Sequence, residues 1–201
     1  GTKFTVTLTD IVFTTPVPSK EELDDVTFTV TVGEPDDGYI KFNEASATLP
    51  DYTAGEKGNV RMFRTIVANQ WNTIVLPFTL SKENAEAAFG SDVQLAEFSG
   101  IETEYADEED VTPDGITIKF STYTMSAKKS MTGGKPFLIK TSKNITEFEA
   151  VNCTLFEAVT DVVKADEWET AGAFTGSLVA TKVPADGLFI YDNKFYYSTG
   201  S

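Results

Sequence analysis

Histidine is absent from all 201 residues of the chain. Without an imidazole there is no His-based catalytic triad, no His-containing zinc site and no side chain that ordinarily titrates near neutrality. The chain is therefore expected not to be an enzyme, carboxylate chemistry being the one route left open. Cysteine is almost absent as well: Cys153 stands alone, so no internal disulfide can form. Its neighbours Val151, Asn152, Thr154, Leu155 and Phe156 make it a small core residue of a strand, with no adjacent base to lower the thiol pKa. Cations are scarce, 16 Lys and Arg against 31 Asp and Glu, a formal net charge of −15. Such a surface repels phosphate backbones and anionic lipid headgroups, which argues against nucleic acid and a membrane surface as partners. No run approaches the ~20 apolar residues of a membrane helix, so direct membrane insertion is not expected. No signal peptide is visible, and Gly1 in place of Met reads as the trace of a removed leader.

What is present points to strands. Phenylalanine is unusually common at 15 residues, and threonine is abundant in the same stretches. Aromatic and β-branched side chains pack well on a pleated surface. A chain of this length buries roughly 70% of its unfolded surface and needs no metal or disulfide to hold a core. Period-two alternation runs through Phe4 to Leu8, Val26 to Val32, Val93 to Phe98 and Ile116 to Phe120. Further strands are expected at Tyr39–Phe42, Val60–Val67, Thr73–Phe78, Phe137–Lys140, Phe148–Leu155 and around Gly172–Val179. Gly187 to Tyr197 reads as a β-hairpin, with Asp192-Asn193 suited to the positive φ of its two-residue turn. One helix is expected near residues 82–89, with Ser81 as N-cap, Glu83 in the first turn, Ala85, Ala88 and Phe89 on one face, and Gly90 ending it. Roughly eleven to thirteen strands and one helix predict an all-β fold, a two-sheet antiparallel sandwich of jelly-roll type. A single domain over 1–201 is expected, with a sub-boundary or long connection near 50–59, where Pro50, Gly55 and Gly58 interrupt the pattern.

Two segments carry a resemblance. Arg64-Thr65-Ile66 leads into Trp71-Asn72-Thr73-Ile74-Val75-Leu76-Pro77-Phe78, and the helix closes on Phe89-Gly90. Gly134-Lys135-Pro136-Phe137-Leu138-Ile139-Lys140, the Phe174-Thr175-Gly176 step and the closing hairpin follow. Over about residues 60–198 this pattern resembles a family of secreted and cell-surface β-domains of gut Bacteroidetes, often found near the C-termini of large surface proteins. The resemblance implies an extracellular or outer-membrane-associated place and says little of activity. Val75 stands where the family commonly has Cys, which argues against thiol chemistry there. Relatives also continue into a further aromatic strand past the position of Ser201, so a trimmed chain would present an unpaired edge.

Candidate binding residues are aromatic. Trp168 lies in the polar segment Lys164-Ala165-Asp166-Glu167-Trp168-Glu169, where an exposed indole would offer a flat apolar face to a sugar. Tyr191, Tyr196 and Tyr197 belong to the closing hairpin, and Tyr196 and Tyr197 point to opposite faces, so one of them is expected to be wet. Trp71, directly before a buried strand, is expected in a core or corner position, with a sugar-stacking platform as the alternative. The acidic run containing Asp107, Glu109, Asp110 and Asp114 is read as a solvated loop or hairpin tip, with calcium as the alternative, although its spacing does not match the twelve-residue helix-loop-helix pattern. Gly133-Gly134-Lys135 lacks the spaced glycine and hydroxyl of a phosphate loop and is read as turn geometry. Asn144-Ile145-Thr146 and Asn152-Cys153-Thr154 match the glycosylation pattern, the second inside a predicted core strand. The expected role is a non-catalytic surface domain with an adhesion or structural role, in contact with a glycan or a host or bacterial surface protein. A carbohydrate-binding module and a fimbrial or assembly subunit are the alternatives. No cofactor other than calcium is expected, and the oligomeric state is left open.

Overall fold

The computed structural model describes residues 37–105, 115–157, 163–164 and 172–200. The strands expected at Phe4–Leu8 and Val26–Val32 lie outside them. Within the unit Asp37–Ser201 the chain builds two four-stranded sheets. Sheet I contains β1 (Tyr39–Asn43), β2 (Lys57–Ile66), β8 (Ile145–Leu155) and β4 (Phe78–Thr79), hydrogen-bonded in that order. Sheet II has the order β3 (Asn72–Ile74), β7 (Phe137–Lys140), β5 (Gln94–Glu104) and β6 (Gly115–Thr122). Two short ribbons complete it: β9 (Val163–Lys164) with β10 (Ala173–Phe174), and the hairpin β11 (Leu188–Tyr191) with β12 (Lys194–Tyr197). The architecture is an all-β sandwich with one short helix, α1 (Lys82–Phe89).

The helix has local causes. Ser81 sits in extended conformation and its side chain accepts from the Asn84 N–H at 3.2 Å. Gly90, at φ +96°, ends the helix and donates to the Glu86 carbonyl. A positive φ there is open to glycine because it carries no Cβ. Ala85 and Phe89 are buried, with the Phe89 ring 4.8 Å from that of Phe148 on β8.

Two expectations need correction. The ladders are not all antiparallel: β1 pairs with β2 in parallel, Tyr39 opposite Asn59 through Asn43 opposite Phe63. A parallel pair needs a long crossover, and the segment 44–56, broken by Pro50 and Gly55, supplies it. The run Thr73–Phe78 is also not one strand. It divides between β3 in sheet II and β4 in sheet I, with Val75-Leu76-Pro77 passing between the sheets. Pro77 has no N–H to give a ladder, and the whole passage is buried. The strand expected at Val93–Phe98 is longer than its alternation indicated. It runs on to Glu104, and Glu102 pairs with Lys119 across the β5–β6 ladder.

Between the sheets lie Val60 and Met62 of β2, Phe148 and Leu155 of β8, Ile74, Phe137 and Ile139 of sheet II, and Phe42, Phe78 and Leu80. A bulge keeps β8 in phase with this core. Asn152 takes φ +53° and donates to the Asn59 side chain at 3.1 Å. Phe148 and Ala150 before it, and Cys153 and Leu155 after it, consequently all face inward. On β2 the inward phase of Val60 and Met62 continues to Arg64. Its guanidinium ties the sheets, donating to the Thr73 carbonyl of β3 and pairing with Glu44 at 3.1 Å. Burial draws the pKa of that guanidinium down and Glu44 opposes the change, yet an arginine so placed stays charged.

The two segments singled out in sequence meet here. β3 pairs with β7, Ile74 opposite Phe137. Gly134, at φ +77°, donates to the Leu76 carbonyl at 2.8 Å. A Cβ on Gly133 would fall 2.6 Å from Phe156 Cβ and 3.0 Å from the Phe78 carbonyl carbon. Lys135 pairs with Glu97 of β5 at 2.8 Å. Gly133→Ala should therefore force the turn off the passage and lower stability by about 1–3 kcal/mol, the usual cost of overpacking. Urea unfolding should show a lower midpoint at an unchanged slope.

Candidate functional site

Sheet I, although mixed, keeps one wet face as antiparallel sheets commonly do. Its outer side carries Arg61, bonded to Asp37 at 2.7 Å and to Glu149 at 2.6 Å, with its guanidinium 4.9 Å from the Tyr39 ring. Sheet II does not follow it. Ala96, Phe98 and Leu138 are buried although they stand outside the central core. The uninterrupted run Phe137-Leu138-Ile139 records this, since a strand covered on both faces has no polar phase.

The C-terminal hairpin and Phe174 provide the cover. The Phe195 ring stacks on Phe120 at 6.4 Å and 17°, and Phe174 meets Phe120 at 5.4 Å and Phe98 at 6.1 Å. Asp192 and Asn193 take φ +48° and +57°, as the two-residue turn requires. The Asn193 side chain then accepts from the Trp71 backbone N–H at 2.8 Å, pinning the turn to the start of β3.

Cross-strand register assigns the hairpin faces. Leu188 opposes Tyr197 and Ile190 opposes Phe195; these four line a groove of about 380 Å³ against Ile116, Ile118 and Phe120. Phe189 opposes Tyr196 and Tyr191 opposes Lys194, so these residues share the other face. There Phe189 and Tyr196 stack at 5.8 Å, and Tyr191 meets Tyr196 edge-on at 6.3 Å. Tyr191 is 69% exposed, Tyr196 40% and Phe189 38%.

The structure thus brings Tyr191 and Tyr196 together and separates Tyr197, which is exposed on the groove side. Phe189 was not singled out in sequence, although its place opposite Tyr196 follows from the two-residue turn. Trp168 and the acidic residues Asp107, Glu109, Asp110 and Asp114 lie outside the described residues. Among the described residues, no group of three or more Cys, Asp or Glu is placed to hold a metal ion, and no helix is long and apolar enough to cross a membrane.

Trp71 is not in the core. It is half-buried and lines two clefts, one of about 340 Å³ shared with Ile190, Asn193 and Lys194, and one of about 460 Å³ beside α1. The reason is positional. Trp71 precedes the first inward residue of β3, Ile74, and Asn72 between them folds the turn back by bonding the Val67 N–H and the Val67 and Gln70 carbonyls.

Cys153 is an inert core thiol. Burial pushes its pKa up to about 11, only partly opposed by the Lys57 charge. No protein-family model, curated protein or solved structure matches this chain.

Cys153 should resist iodoacetamide at pH 8 in the folded protein and react readily once urea unfolds it, because the thiolate is the reactive form. Its contribution to stability is full below the ordinary thiol value of 9.0 and declines as the pH climbs toward about 11, where the unfolded chain ionises first. Mass spectrometry of the alkylated chain checks the labelling.

Proposed function

We propose that this chain is a non-catalytic domain of a secreted or cell-surface bacterial protein, with an adhesion or accessory role, and that its contact element is the C-terminal hairpin. The observation that carries the reading is the grouping of the exposed rings of Phe189, Tyr191 and Tyr196 on one face of a ribbon whose other face meets sheet II through Phe195 on Phe120. Large aromatics gathered on a surface mark contact sites more often than scattered apolar residues do. Tyrosines add a hydroxyl to an apolar ring and suit contacts that are part wet and part dry. The bacterial address rests on the resemblance of Trp71–Phe78 and Gly134–Lys140 to surface β-domains of gut Bacteroidetes. The absence of histidine supports the non-catalytic part.

A carbohydrate-binding module is the reading that the same rings favour next. Stacked, exposed ring faces accept the C–H faces of pyranoses, and Asp192, Asn193 and Lys194 stand beside them with polar groups. The negative charge of the chain favours neutral glycans over acidic ones.

Arrays of glycans and of purified surface proteins, probed with and without millimolar calcium, test both readings. Saturable binding should weaken at least about tenfold on Tyr191→Ala or Tyr196→Ala, the loss typical of an aromatic anchor, with the circular dichroism spectrum unchanged. Binding that both variants retain would remove the hairpin as the contact element. Calcium-dependent binding would move the site to the acidic run at Asp107–Asp114. A blank on both arrays would overturn the contact role.

A further inference from the structure

The larger of the two clefts at Trp71 lies apart from the aromatic face of the hairpin, and its chemistry is different. Its volume, about 460 Å³, falls within the range of small-ligand sites. The indole of Trp71 forms one boundary. Gln94, at the start of β5, and Thr122 and Thr124, at and beyond the end of β6, present uncharged polar groups, while Lys82 and Glu86 of α1 stand at the rim.

Three features of this cleft point the same way. Trp71 remains only half-buried although a core lies close by in sequence, at Ile74. Its backbone is held on both sides, by the bond to Asn193 and by the Asn72 turn, so the indole is presented on a fixed base. The polar groups around it are of the type that both donates and accepts: a carboxamide and two hydroxyls. Among the described residues none of these side chains is engaged in a hydrogen bond, and all three residues are exposed. The charged residues at the rim answer each other, Lys82 and Glu86 lying 3.6 Å apart, so the cleft carries no unopposed cation for a phosphate or a sulfate.

A flat apolar ring beside neutral donor-acceptor groups matches one ligand chemistry closely. A pyranose has an apolar C–H face, which lies on an aromatic ring, and a rim of hydroxyls that each donate and accept. A nucleotide would require a phosphate cradle, and a hydrocarbon would leave the carboxamide and hydroxyls without partners. We infer that the cleft between Trp71 and Gln94 is a binding site for a neutral oligosaccharide. The inference shares its ligand class with the carbohydrate reading above but uses different residues. Because Trp71 also lines the cleft that reaches Ile190, Asn193 and Lys194, a sugar chain seated on it would extend toward the hairpin turn.

The chain holds two tryptophans, so the full chain carrying Trp168→Phe makes Trp71 the sole indole reporter. Titration with neutral di- to hexasaccharides of β-glucan, α-glucan, mannan and xylan should give a saturable change in its emission for at least one series. Calorimetry with that sugar should show binding weakened at least about tenfold by Trp71→Ala and several-fold by Gln94→Ala, in line with loss of a stacking and a hydrogen-bonding partner. Should Trp71→Ala fail to fold, Gln94→Ala and Thr124→Ala carry the test, since both positions are exposed. Lys143→Ala, at an exposed position that lines neither cleft, should leave the binding unchanged. A flat response to all four series would overturn the inference, as would binding that survives Gln94→Ala and Thr124→Ala together. Loss on Tyr191→Ala with retention in the cleft variants would also overturn it, while leaving the hairpin reading in place.

Discussion

Between Ile74 and Phe78 the chain leaves one sheet and enters the other without surfacing, and the rest of the sandwich is arranged around that passage. A buried peptide group must find a partner, because an unmet carbonyl in a dry interior is costly. The Leu76 carbonyl is met by the Gly134 N–H and the Pro77 carbonyl by the Phe156 N–H, both at 2.8 Å. Pro77 itself brings no donor to satisfy. For neighbouring backbone to come this close, side chains have to be missing from it. A Cβ at Gly133 would meet Phe156 and the Phe78 backbone, and one at Gly176 would lie 2.6 Å from Val75 Cγ1. Two glycines far apart in sequence thus close the same passage from different directions.

The passage also accounts for the charge buried beside it. Arg64 stands on the inward phase of β2, and its side chain is only 15% exposed. Its guanidinium reaches the Thr73 carbonyl on the neighbouring sheet, next to the point where the chain turns inward, while Glu44 balances the charge. An isolated buried pair of this kind adds little net stability over an apolar pair. What it adds is geometry: a rigid, always charged fork with two defined partners fixes how one sheet edge sits on the other.

Features with local causes were readable in the sequence. Asp192-Asn193 accepts the positive φ of a two-residue turn, Ser81 and Gly90 bound the helix, and Phe137-Leu138-Ile139 has no polar phase because both sides of β7 are covered. What could not be read depends on partners distant in the chain. The apolar and aromatic residues of Tyr39–Phe42 show a strand but not that its neighbour runs parallel. The apolar run Thr73–Phe78 looks like one strand because core residues of two sheets are apolar alike, and only the Pro77 break hints at the division. At the candidate site the pattern was partly visible. Tyr196 and Tyr197 had to face opposite ways, but that Phe189 completes the Tyr196 side required the register. Trp71 was misplaced for a related reason: being next to a core strand says nothing of which side of the sheet a residue takes.

The covered outer face of sheet II links fold to recognition. A two-stranded hairpin by itself is marginal in water, so rings displayed on it would ordinarily be mobile and would lose entropy on contact with a ligand. Here the hairpin is held by the stacking of Phe195 on Phe120 and by the bond from Trp71 to Asn193. Its inner face meets sheet II through Phe195, and that contact sets the posture of Phe189, Tyr191 and Tyr196 on the opposite face. The same bond ties the hairpin turn to the backbone that carries the Trp71 indole. A substitution that loosens the hairpin's hold on sheet II would therefore act on both aromatic surfaces, because the bond from Trp71 to Asn193 joins them.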